Sequence, residues 1–108
     1  MITAENRDAN LDYLATTDEP YARAKSYMVG LDKQERTVLA TSVLTSREKT
    51  VQMKEAEARV SKPYREWKTS YQDAVYDYEI LRNKRTTAAL VIELWRSEFS
   101  ALKQGIVF

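Results

Sequence analysis

From Tyr64 to Gln104 the chain contains neither glycine nor proline, and over that stretch its apolar residues repeat in sevens. Tyr64, Tyr71, Tyr78, Arg85, Ile92 and Phe99 hold one position of the repeat, and Trp67, Ala74, Leu81, Ala88, Trp95 and Leu102 the other. Eleven of these twelve positions are apolar or aromatic. A mean spacing of 3.5 residues keeps a single seam facing a neighbouring helix, the condition for left-handed knobs-into-holes packing. Gly105 stands where a helix C-cap is expected, with Lys103 in the last turn. The pattern predicts a helix over 62–104, about 60 Å long at 1.5 Å per residue.

The rest of the chain also reads as helix. Thr17, Asp18, Glu19 and Pro20 resemble a helix start, with a capping oxygen, acids in the first turn and a proline whose missing N–H costs little there. Tyr21, Ala24, Met28, Leu31, Glu35 and Val38 then recur at spacings of three and four, and the pattern predicts a helix over 18–44. Gly30 within it either is tolerated or marks a close helix approach. Thr45 and Glu48 form a capping-box pattern that predicts a second helix over 46–60. At Ser61-Lys62-Pro63 either a new helix starts or one long helix kinks. Residues 1–17 read as a loose arm anchored by Leu11, Tyr13 and Leu14, leaving 18–108 as a single helical domain. The expectation is an all-α fold, a helical hairpin or three-helix arrangement with one long coiled-coil-like C-terminal helix.

Composition narrows the chemistry. The 108 residues include no cysteine and no histidine, only two glycines and two prolines, and 31% charged beside 44% apolar residues. Disulfides, thiolate metal sites, cysteine nucleophiles and histidine bases are excluded together. A carboxylate mechanism needs paired acids in a cleft, and a loop-poor helical chain offers few places to build one. The expectation is a protein that is not an enzyme and uses no cofactor and no metal. No apolar run approaches the ~20 residues of a membrane span, and a signal-like N-terminus is lacking, so a cytoplasmic location is expected.

The seam suggests association. Helices of about 25 and 15 residues reach only part of the way along helix 62–104. Residues beyond Arg85 therefore lack a partner in this reading, leaving Ile92, Trp95, Phe99 and Leu102 uncovered. The expected interface comprises Tyr78, Leu81, Arg85, Ala88, Ile92, Trp95, Phe99 and Leu102, joining copies into a dimer or higher oligomer or meeting a protein partner. Arg85 either fixes register and partner choice or snorkels to solvent. The net charge of +1 conceals uneven blocks: five acids and one base over 1–21, then seven bases and three acids over 22–54. Arg82, Lys84, Arg85, Arg96 and Lys103 are candidate nucleic-acid contacts, because a basic helix face can follow phosphates. Such a stripe is more often a solvated flank.

The segments Tyr78-Glu79-Ile80-Leu81-Arg82 and Glu93-Leu94-Trp95-Arg96-Ser97 resemble the C-terminal part of a widespread group of small helical proteins encoded by tailed bacteriophages. There a Tyr-Glu-x-Leu-Arg stretch precedes a Glu-x-Trp-Arg-Ser stretch. The resemblance covers about a quarter of the chain strongly. It implies a host-cytoplasmic accessory protein beside phage DNA recombination or early genes, and it carries over no catalytic residue. Association with itself and a protein partner is the leading expectation. Direct DNA binding and inhibition of a host enzyme or defence system are the alternatives.

Overall fold

The computed structural model describes residues 1–105. Among them are three helices and no strand: α1 Ala4–Thr45, α2 Val51–Val60 and α3 Lys62–Lys103. The all-α class and the long C-terminal helix are as expected. The chain divides into two compact units, one joining Met1–Ala22 to the residues from Glu79 onward, the other formed by Arg23–Tyr78.

The N-terminal arm is not loose. α1 starts at Ala4, where Thr3 caps it by accepting from Asn6 N at 3.0 Å through its side chain, while Arg7 N donates to Thr3 O. The Thr17-Asp18-Glu19-Pro20 pattern lies inside this helix. Proline interrupts helical hydrogen bonding, yet Pro20 is carried within α1 because tertiary packing on either side outweighs local preference. Thr17 Oγ1 turns back to Tyr13 O at 2.6 Å rather than capping a new helix.

α2 is shorter than expected. Thr45 belongs to the last turn of α1, its hydroxyl bonded back to Thr41 O and Ser42 O. The helix begins instead after Thr50, whose side chain accepts from Met53 N at 3.1 Å. Ser61 then separates two helices: its ψ of 155° is extended, and its Oγ donates to Ala58 O at 2.6 Å and accepts from Tyr64 N. A new helix therefore starts at Lys62, with Pro63 in its first turn. At the far end Gly105 has φ 79°, and its N–H returns to Leu102 O, the left-handed cap the sequence predicts.

The unit Arg23–Tyr78 holds the main core. Leu31, Trp67 and Ala74 are buried, with Met28, Val38, Tyr64 and Tyr71 packed around them. Trp67 Nε1 donates to Leu31 O at 2.7 Å, satisfying its polar atom inside the core. Its ring is flanked by Tyr64 and Tyr71, both at 5.4 Å between centroids. These tyrosines therefore pack in the seam. The Tyr71 hydroxyl is held above its ordinary pKa by desolvation, then by Asp32, which also hydrogen-bonds to it, and by Glu35. Gly30 has open space around its missing Cβ, so it is tolerated and no close helix approach requires it.

Candidate interaction surface

In the other unit, α1 and α3 run antiparallel, as three contacts in register show: Ile2 with Glu98, Arg7 with Trp95, and Thr17 with Arg85. Residues 4–17, being helical, supply the intrachain partner that a loose arm could not. The seam from Arg85 to Trp95 is consequently occupied from within, contrary to the length comparison made on the sequence, whereas Phe99 and Leu102 stay exposed as that comparison expects.

Each seam residue has an identifiable place. Ala88 is the most buried, at 2% exposure, and its small side chain suits the close facing of α1. Arg85 is turned inward. Its Nη1 donates to Leu14 O at 2.9 Å and Thr17 Oγ1 at 2.7 Å, its Nη2 donates to Asp18 Oδ1 at 2.5 Å, and the guanidinium lies 5.0 Å from the Tyr21 ring centroid. Four groups of α1 thus hold one planar cation, a geometry that fixes register. Trp95 stacks on Phe99 at 5.1 Å and is covered by Arg7 at 4.2 Å, while Lys103 lies over Phe99. Tyr78 belongs to the unit Arg23–Tyr78. Leu81 and Ile92 are half-buried, whereas Phe99 and Leu102 keep substantial exposure.

The candidate phosphate-binding cations do not form one set. Arg82 and Arg96 are exposed and paired with Glu79 and Glu93 one turn back on α3, at 3.4 and 3.1 Å. Arg85 faces inward, and Lys103 caps an aromatic ring. Lys84 lines a shallow hollow of about 380 Å³ with Asn10, Tyr13, Asn83, Thr87 and Ala88.

No protein-family model, curated protein or solved structure matches the chain.

The surface that heptad reading missed lies on the flank of α3 beside that hollow. Ile80, Asn83, Thr87, Leu90, Leu94, Ser97 and Ala101 recur at alternating spacings of three and four, the same 3.5-residue period as the buried seam, and none is charged. Leu90 is 64% exposed and Leu94 50% exposed, with Ile80 also open to solvent. At 100° per residue this stripe is turned well away from Arg82 and Arg96, while Glu79 and Glu93 border one of its edges and Lys84 and Glu98 the other, so the face is an uncharged strip between two charged edges. α1 matches it. The flank bearing Asn10 and Tyr13, which share the hollow with α3, continues through Asn6, Ala9 and Thr16 without a charge. Solvent-facing helix positions ordinarily carry Lys, Glu or Arg. Their absence here, rather than any strong hydrophobicity, is the sequence signal of this surface.

Among the described residues no helix is long and apolar enough to cross a membrane.

Proposed function

We infer that the chain is a non-enzymatic accessory protein of a tailed bacteriophage that acts by helix-mediated association with itself and with a protein partner. The observation that carries this reading is the second uncharged stripe on α3, from Ile80 to Ala101, with Leu90 and Leu94 open to water. A helix already packed on one side by its own chain, and stripped of charge at a second 3.5-residue seam, has the pattern of a bundle helix with neighbours on two sides. The phage setting, and with it a role beside DNA recombination or replication, rests on the Tyr78–Arg82 and Glu93–Ser97 resemblance.

Direct DNA binding is the weaker reading. Its candidate cations are divided between carboxylate partners, an inward site and an aromatic cap. Neutralising several phosphates requires cations on one surface, and its signature is affinity falling steeply with salt.

Light scattering of the full chain at micromolar concentration tests association, the expected outcome being a mass above that of one chain. The same chain immobilised as bait should retain a specific protein from a phage-infected extract that the bare support does not. A monodisperse monomer whose bait captures nothing beyond the bare support would remove the reading. Titration against single-stranded and duplex DNA at 50 and 200 mM salt separates the alternative.

A further inference from the structure

We propose that the occupant of the Ile80–Ala101 stripe is a second copy of this chain, packed antiparallel about a two-fold axis that passes between Leu90 and Leu94. The proposal rests on the association reading above and adds the face, the partner and the orientation.

A surface that meets itself across a two-fold axis brings like groups near like, so a net charge on it is repelled. This stripe carries none. A charge pattern beside it then selects orientation: Lys84, Val91 and Glu98 lie one heptad apart along the same edge of α3. Packed parallel, this edge would face the opposite edge of the other copy, so that the attraction of Lys84 to Glu79 is offset by the repulsion of Glu98 from Glu93. Packed antiparallel about the Leu90–Leu94 turn, two copies set Lys84 of each near Glu98 of the other. The same register brings Leu90 of one copy against Leu94 of the other on both sides of the axis, placing the most exposed apolar side chains of the stripe at the centre of the contact, where binding energy concentrates.

The face is long enough for such a contact. Ile80 to Ala101 extends about 33 Å along α3, and the uncharged α1 flank at Asn6, Ala9, Asn10, Tyr13 and Thr16 lies beside it.

Sedimentation equilibrium of the full chain, from 1 to 100 µM, should give a dimer. Leu90→Asp with Leu94→Asp should raise its dissociation constant at least about 100-fold with unchanged far-ultraviolet circular dichroism, since both side chains are exposed in the single chain. Arg82→Ser with Arg96→Ser, on the charged flank, should leave the mass unchanged. Because the chain has no cysteine, orientation can be read by mixing a Leu90→Cys chain with a Leu94→Cys chain under mild oxidation. Antiparallel packing gives the mixed disulfide in preference to either like pair, since like positions are then too far apart to bridge. A dimer that survives the Asp pair overturns this face while leaving self-association standing. Preference for the like disulfides overturns the orientation, and a wild-type chain that stays monomeric at 100 µM overturns the self-association reading itself.

Discussion

Arg85 shows how one residue can conceal and explain a structural feature at once. On the sequence it is the single charge in an apolar seam; in the structure its guanidinium gathers Leu14 O, Thr17 Oγ1, Asp18 and the Tyr21 ring. Its partners Thr17 and Asp18 are the residues that look like a helix cap. Arg85→Ala should destabilise the chain by about 2 kcal/mol in urea unfolding, because it removes charge-assisted hydrogen bonds to a largely shielded group. Asp18→Ala should cost less than about 1 kcal/mol, since Asp18 is mostly exposed and its ion pair is screened. Equal losses at the two positions would mean that the ion pair, rather than the Leu14 and Thr17 contacts, dominates. Tyr71 gives a different readout. Its raised pKa means that the folded chain favours the neutral phenol, so its contribution is complete below the unfolded value near 10. That contribution is lost as pH rises from there through the folded value. Tyr71→Phe should therefore flatten the alkaline fall in stability between unfolding curves measured at pH 9 and at pH 11.

At the level of elements, α3 was legible almost to the residue, because an uninterrupted seam, a preceding Ser-Lys-Pro and a closing Gly105 agree with one another. α1 was not. Its true cap, Thr3 with Glu5 in the first turn, is as good a start signal as Thr17-Asp18-Glu19-Pro20, but the proline made the later one look decisive. Proline removes one helical hydrogen bond wherever it sits, and α1 tolerates that defect through packing against α3. Pro20→Ala should thus stabilise the chain by about 1–2 kcal/mol in denaturant unfolding, the restored helix bond and relieved ring clash outweighing the greater freedom of the unfolded chain. Unchanged or lowered stability would show that the ring makes packing contacts worth more than the missing bond. The buried seam of α3 was also legible, whereas its occupant was not, since that depended on where α1 begins. The uncharged flank escaped notice because Asn83, Thr87 and Ser97 dilute its leucines; periodicity of missing charge is a fainter signal than periodicity of apolar residues.

Across the whole molecule, the two units differ in how they are held. Arg23–Tyr78 closes on a core of Leu31, Trp67 and Ala74, while the unit of the two chain ends buries only Ala88 among its described residues and relies on Arg85, Arg7 and Glu98. Few buried apolar contacts mean a low free energy of local opening. Amide exchange should therefore be slower over 64–74 than over 4–14, and raising the protein concentration should protect 80–101 selectively if that stripe pairs with a second copy. Each unit also contains one of the two tryptophans, and their surroundings differ: Trp67 is enclosed with its N–H bonded to Leu31 O, while Trp95 sits half-exposed beneath Arg7. The chain thus carries two intrinsic fluorophores of contrasting colour. Replacing either by phenylalanine should leave a spectrum that follows the opposite unit alone, blue and resistant to iodide for Trp67, red and readily quenched for Trp95, so that the unfolding of each half can be timed without attaching a label.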